Sequence, residues 1–258
     1  GVMRKNLIFF DIDGTICLYG RSPGPDVYEA FRLLKAKGNV PFLCTGRGQA
    51  DIHTSIRNLG CEGIISGMGA DIRIGGKLVR HRYLSRDFLA ETASTLIEND
   101  IAAMLVGQWD VLRTERMDPT PLETRVLHSA ADIFQGNSFP HISSIDLEYG
   151  RIDELEPCLP AILKHSALVE YTPQSGQTRL LGVSKSNAIR HVRALPQYRE
   201  LRAYAIGDSQ NDIDMLQLAD VGIAIRNAPA EVLQIADYVT DTLENHGLFN
   251  ALAHFDLI

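Results

Sequence analysis

The sequence predicts an α/β protein: a Rossmann-like, doubly wound parallel sheet interrupted by an inserted α+β domain. Three observations predict it. Short, continuous apolar runs, among them Leu7–Phe10, Val40–Cys44 and Val221–Ile225, read as strands buried on both faces. These runs alternate with segments of helical periodicity, which is the grammar of βαβ units. From residue 83 to residue 180 the strict alternation gives way to mixed strands and helices, so the parallel-sheet domain is expected in two pieces, 1–82 and 181–258, around an insertion of 98 residues.

Each element follows from its residues. Leu7–Phe10 is the first strand. Residues 24–38 form a helix, with Val27, Ala30, Phe31 and Leu34 at helical spacing and Gly38 as its stop. Val40–Cys44 is the second strand, Asp51–Leu59 the second helix, and Ile64-Ile65 a third short strand. Asp71–Ile74 and Leu78–Arg82 flank Gly75-Gly76, a hairpin signal. The insertion reads as helix 86–99, strands 102–107 and 111–114, helix 121–132, strand 142–147, helix 154–163, and strands 167–171 and 178–181, built around an antiparallel sheet. The βα grammar then resumes with helix 184–195, strand 203–206, helix 212–218, strand 221–225, helix 229–235, strand 238–239 and helix 245–254.

Composition narrows the function. The chain has 258 residues, 32 acidic and 25 basic side chains, and a formal charge of −7. It is long enough to bury a large core without disulfides. Net acidity argues against sequence-independent nucleic-acid binding, which needs a basic footprint. No apolar stretch reaches the length of a membrane span, and no secretory-type leader is seen, so a cytoplasmic protein is expected. Cys17, Cys44, Cys61 and Cys158 form no C-x-x-C pair and read as small, reduced, partly buried residues.

The chemistry sits at strand ends. Asp11-Ile12-Asp13-Gly14-Thr15 follows the first strand, where open α/β sheets bind ligands. Two carboxylates held there are costly without a cation or a catalytic use; the alternative is a tight turn at Asp13-Gly14. Gly207-Asp208-Ser209-Gln210-Asn211-Asp212 is a second acidic loop after a strand. Together the two loops could share a hard cation through oxygen ligands, and magnesium, with its few carboxylates and its taste for phosphate, fits best. The alternative for the second loop is an ordinary helix cap. Thr45-Gly46-Arg47 offers a hydroxyl, an amide and a helix N-terminus to an anion, although Thr-Gly is also common turn chemistry. Lys185 opens a helix, where the dipole disfavours a cation, so it needs either a nearby anion or solvent exposure.

Taken in order, these segments resemble the four motifs of the haloacid dehalogenase-like hydrolases. Asp11-x-Asp13-Gly14-Thr15 resembles the first motif, Thr45 the second, Lys185 the third and Gly207-Asp208-x-x-Asn211-Asp212 the fourth. The long insertion between the second and third motifs is similar to the cap of the Cof-type phosphatases, as are Ser66–Ala70, Gly222–Ala228 and Ala236–Thr240. The resemblance implies phosphoryl transfer in two steps, with Asp11 as nucleophile and Asp13 as general acid and base. It implies that Thr45, Gly46, Lys185 and Asn211 hold phosphoryl oxygens, that Arg47 and Asp212 support them, and that Asp11, Asp13 (through its carbonyl) and Asp208 bind Mg2+. The expected substrate is a small phosphorylated metabolite such as a sugar phosphate, with neither nucleic acid nor membrane as a partner. A phosphomutase with the same cap class is the alternative; so is a non-catalytic phosphometabolite-binding protein, although its expected mark, loss of Asp11 or Asp13, is missing.

One position departs from the pattern. Cof-type relatives usually carry Asn-Gly-Ala where this chain has Met68-Gly69-Ala70, and a methionine cannot supply amide hydrogen bonds. Other constellations fail: there is no P-loop and no dinucleotide-binding glycine motif, and the histidines lack metal-ligand spacing. Residues 83–180 hold 15 acidic and 7 basic side chains, which accounts for the whole acidic excess. A solvated surface explains this; the sharper expectation is that the insertion disfavours highly anionic substrates such as bisphosphates.

Overall fold

The computed structural model describes residues 4–120, 123–135 and 141–258. In chain order the first stretch contains β1 (Asn6–Phe10), α1 (Pro25–Ala36), β2 (Val40–Cys44), α2 (Thr54–Arg57), β3 (Gly63–Ser66), β4 (Asp71–Ile74) and β5 (Lys77–His81). The middle contains α3 (Arg86–Glu98), β6 (Ala102–Gly107), β7 (Val111–Thr114), β8 (Arg125–Leu127), β9 (Ile142–Glu148), α4 (Leu159–Ile162), β10 (Ser166–Thr172) and β11 (Ser175–Leu180). The last stretch contains α5 (Lys185–Arg193), β12 (Arg202–Gly207), α6 (Ile213–Leu218), β13 (Val221–Ile225), α7 (Ala230–Ile235), β14 (Tyr238–Thr240) and α8 (Gly247–His254).

The chain separates into two compact units. The first holds residues up to Gly46, His53–Arg80 and Ser184–Ile258; the second holds Arg47–Ile52 and His81–Val183. The first unit is an eight-stranded sheet in the order β14-β13-β12-β1-β2-β3-β4-β5. It is parallel from β14 through β3 and turns antiparallel at β4. The uninterrupted apolar β1 has its reason here, because both faces are covered. Leu7 and Phe9 join Ile189, Val192, Met215 and Leu216 of α5 and α6. On the other face Phe10 packs against Phe31 of α1, ring centres 4.6 Å apart. Each such fully buried side chain contributes about 1.5–3 kcal/mol. The strand order places β1, β2 and β12 side by side, so the three loops at their carboxyl ends share one edge of the sheet.

The second unit is an α+β layer, with a six-stranded sheet in the order β10-β11-β9-β6-β7-β8. All its pairs are antiparallel except β7–β8, which is parallel. One face is apolar and packs under α3 and α4 around Leu89, Leu105, Ile145 and Leu147. The short Arg47–Ile52 segment groups with this unit because Gly48 lies flat on β6. A Cβ at Gly48 would stand 2.6 Å from Val106 Cγ1 and 2.8 Å from the Gly107 carbonyl.

Three expected helices differ. Residues 121–132 were expected to be helical; residues 121–122 lie outside the described residues, and the remainder is strand β8 followed by a 3-10 turn at Ala130–Phe134. Pairing with β7 and burial of Leu127 outweigh the helical pattern. Residues 154–163 break into a 3-10 turn at Ile152–Leu155 and the single turn α4. Pro157 lacks the N–H that a continuous helix would use, and its ring clashes with the carbonyl four residues earlier. The helix expected over 51–59 is only the four residues of α2, preceded by a 3-10 turn at Gln49–Asp51.

Candidate active site

Two strand ends and one helix start bring Asp11, Asp208, Asp212 and Lys185 together in the first unit. The ladder between β1 and β12 continues one residue past β1, with the Asp11 amide donating to the Ile206 carbonyl at 3.0 Å. The chain then folds into a tight loop in which the amides of Thr15 and Ile16 donate to the Ile12 carbonyl. Gly14 turns this loop at φ +79°, and a Cβ there would stand 1.9 Å from Asp208 Oδ2. Only glycine lets the first acidic loop approach the second so closely.

Lys185 is the centre of the site. It is wholly buried, and its ammonium donates to Asp11 Oδ1 at 2.7 Å and to Asp212 Oδ1 at 2.6 Å. Its place at the start of α5 opposes the helix dipole, and these two carboxylates supply the anions that the place requires. The helix start is well fixed. Ser184 accepts from the Asn187 amide at 3.1 Å, and Asp214 of α6 accepts from the Ser186 amide at 3.1 Å. Asp214 escaped sequence reasoning, because nothing in its neighbourhood marks it as the partner of a helix 28 residues earlier.

Asp212 is equally committed. Its Oδ2 accepts from the amides of Asp208 and Ser209 at 3.0 and 3.2 Å and from Ser209 Oγ at 3.2 Å, while Oδ1 faces Lys185. It holds the ammonium and closes the loop that carries Asp208. Asn211 lies in the same loop and its Oδ1 accepts from Ser209 Oγ at 2.6 Å. Thr45 is buried at the end of β2, its amide donating to the Ile65 carbonyl and its carbonyl accepting from the Met68 amide.

Met68, the unexpected residue, is 1% exposed and sits in the left-handed region at φ 59°. Its methyl abuts Gly46, where a Cβ would stand 3.0 Å from Met68 Cε. The next residue, Gly69, has φ +103°, and a Cβ there would meet the Ser184 carbonyl at 2.2 Å. The turn after β3 thus packs on the residue that caps the lysine helix. Arg47, by contrast, belongs to the second unit, where its Nη1 donates to the Asp51 carbonyl at 3.1 Å.

The electrostatics follow from burial. Asp11 is pushed well above the usual carboxylate range by burial and by Asp212, against the pull of Lys185. Asp208 is raised to about 6 by burial and Asp212, with a hydrogen bond to Asp11 opposing. Lys185 stays charged: burial works against the ammonium, but Asp11 and Asp212 outweigh it and raise it well above its ordinary value. Carboxylate oxygens of Asp11, Asp208 and Asp212 lie within 4.8 Å of one another. Asp208 Oδ1 is buried and has no hydrogen-bond partner. Two carboxylates in contact need a proton or a cation between them, so this all-oxygen donor set fits a hard divalent cation.

The sequence model of the haloacid dehalogenase-like hydrolases matches residues 8–252. The chain belongs to that family. It is 36% identical over 265 residues to a phosphoglycolate phosphatase of Methanoculleus marisnigri, covering 98% of this chain and 97% of that one. A phosphoglycolate phosphatase of Methanococcoides burtonii is 26% identical over 254 residues, covering 98% and 97%. Among solved structures, the subclass IIB sugar phosphatase BT4131 has a similar fold, with a TM-score of 0.78, 22% identity and coverage of 98% and 100%. The chain is therefore a Cof-type phosphatase with a Rossmann-like core and an inserted cap.

Proposed function

We propose that this phosphatase hydrolyses a small phosphorylated metabolite with magnesium and an aspartyl-phosphate intermediate. The observation that carries the reading is the buried Lys185 bridging Asp11 and Asp212, with Asp208 alongside and one of its oxygens orphaned. Asp11 is the nucleophile. Its carboxylate attacks phosphorus, and the bond from phosphorus to the leaving oxygen breaks. Asp13 gives that oxygen a proton. In the second step Asp13 takes a proton from water, the water attacks phosphorus, and the Asp11–phosphorus bond breaks to release phosphate. Lys185, the Thr45 hydroxyl, the Gly46 amide and Asn211 hold the phosphoryl oxygens, donors aimed where charge accumulates. Asp11, the Asp13 carbonyl and Asp208 would bind Mg2+, which when bound withdraws charge from the phosphoryl oxygens. Asp212 holds Lys185, and Arg47 is a supporting cation. In this reading residues 1–82 and 181–258 carry the chemistry and residues 83–180 the choice of substrate.

Two relatives are phosphoglycolate phosphatases, so small phosphorylated acids are to be tested beside sugar phosphates. The test is phosphate release from p-nitrophenyl phosphate with magnesium, with EDTA, and with Asp11→Asn. Turnover is expected to need both the metal and Asp11. Metal-independent turnover that survives the substitution would sink the reading.

A further inference from the structure

Lys185 is gripped at its ammonium, and its main chain is gripped as well. The ammonium stands on a flexible four-carbon stem, so its reach depends on where the Cα is held. Asp11 and Asp212 accept from the Nζ. In the first turn of α6, just past Asp212, Asp214 Oδ2 accepts from the amide of Ser186, the residue that follows Lys185. Asp214 Oδ1 accepts from the Met215 amide at 2.8 Å, so both of its oxygens are committed. The segment Asp212-Ile213-Asp214 thus holds the lysine twice, Asp212 at the tip of the side chain and Asp214 at the backbone.

The start of α5 needs this second carboxylate. Its first turn carries a lysine and no acidic residue, so nothing within it complements the positive end of the helix dipole. The Asn187 amide donates to Ser184 Oγ and the Ala188 amide to the Ser184 carbonyl. The Ser186 amide is an orphan donor of the first turn in a buried residue, and Asp214 reaches it from another helix. A charged acceptor makes such a bond roughly twice as strong as a neutral one. On the other side of Lys185, Gly69 lies so close to the Ser184 carbonyl that a Cβ would stand 2.2 Å from it. The Lys185 Cα is therefore held between the turn after β3 and Asp214.

We propose that Asp214 is a positioning residue for Lys185: by holding the Ser186 amide it sets the ammonium where it meets both Asp11 and the transferring phosphoryl group. The proposal rests on the phosphatase reading above. A misplacement of about 1 Å at such a donor can cost up to about 100-fold in rate. An ordinary pin between α5 and α6 would instead stabilise the fold to the same extent with or without the lysine.

A double-mutant cycle of Asp214→Ala and Lys185→Met separates the two, read by hydrolysis of p-nitrophenyl phosphate with magnesium and by melting temperature. With Lys185 present, Asp214→Ala is expected to lower kcat about tenfold while KM stays within about threefold. It should also lower the melting temperature by about 2–6 °C. In the Lys185→Met background the further loss of kcat should fall below about twofold, and the loss of melting temperature to about half or less. Asp214→Asn keeps an oxygen acceptor for the amide and should restore part of the kcat lost in Asp214→Ala. If the alanine variant fails to fold, Asp214→Asn takes its place in the cycle, with the same pattern expected at smaller size. Equal losses in the two backgrounds, a wild-type kcat in Asp214→Ala, or an Asp214→Asn no more active than Asp214→Ala would each overturn the proposal. Failure of the phosphatase reading looks different: the wild type would release no phosphate, while the melting temperatures would still show whether Asp214 acts through Lys185.

Discussion

Replacing Lys185 by methionine tests the centre of the site. The side chain is wholly buried and the ammonium stands 2.7 Å from Asp11 and 2.6 Å from Asp212. At an effective dielectric constant of about 20, each contact is worth about 6 kcal/mol of gross attraction. Desolvating the three ions returns several kcal/mol per ion, so the gross sum is never the net. What methionine leaves behind is two buried carboxylates without a cation. Breaking a buried pair in this way costs about 3–5 kcal/mol, which for a chain of this size is a fall in Tm of at least about 6 °C. The loss should depend on pH. Asp11, raised above its unfolded value by burial and by Asp212, is relieved when protonated, so in the variant the deficit shrinks as pH falls through its folded value and grows as pH rises. Urea denaturation in EDTA at pH 5 and pH 8 reads both effects. Phosphate release should also fall about 100- to 1000-fold, the usual cost of losing one oxyanion-stabilising donor. A destabilisation below about 1 kcal/mol at pH 8, or turnover within tenfold of the wild type, would refute the reasoning.

Gly14→Ala is expected to push Asp208 aside, because the new Cβ would stand 1.9 Å from its Oδ2 on a backbone at φ +79°; the magnesium concentration for half-maximal activity should rise about tenfold or more, and an unchanged magnesium titration would contradict this. Met68→Asn sets a cheaper left-handed backbone, worth about 1 kcal/mol, against lost apolar burial of about 2 kcal/mol and a buried amide. A net loss of about 1–3 kcal/mol in urea is expected, and a gain would mean that strain at φ 59° dominates. Asp146→Asn should flatten the pH dependence of stability. The folded carboxyl is raised from 3.8 to about 6 by burial, with Glu148 adding and Gln177 opposing, so the wild type gains stability as pH falls from about 6 toward 4. Two pKa units are worth about 3 kcal/mol at most, and partial exposure reduces this, so the variant should gain about 1–2 kcal/mol at pH 8. Parallel melting curves at pH 5 and pH 8 for the two proteins would sink the assignment.

The parts of the fold that were legible share one property: their signal is local. The apolar runs of β1, β2 and β13 announce burial on both faces, and the loops after them carry turn and acidic residues in sequence. Lys185 was half legible. Its place at a helix start demands an anion, yet Asp11, which supplies one, lies 174 residues away, and only the family resemblance joined them. The failures are non-local in the same sense. Strand β8 is three residues long, too short for any period to register, and exists because β7 offers it a partner. Arg47 sits two residues past Thr45 and reads as one motif with it, but Gly48 lies flat on β6 and draws the segment into the other unit.

Charge shows the same limit more sharply. Residues 83–180 carry 15 acidic and 7 basic side chains, and from that sum the insertion should repel anions. Coulomb sums count charges, whereas a ligand meets only the charges that remain unpaired and desolvated where it binds. Most of the excess lies at exposed positions such as Glu91, Glu98 and Asp100, where water screens it. On the polar face of the cap sheet the balance is set by a few groups. Arg113 is consumed by local partners, one oxygen of Asp146 is held by Gln177, and Arg179 keeps an unmade donor beside an unmade hydroxyl. The charge sum of a domain therefore describes its field over a Debye length of about 8 Å, and not the balance a ligand meets within a few ångströms.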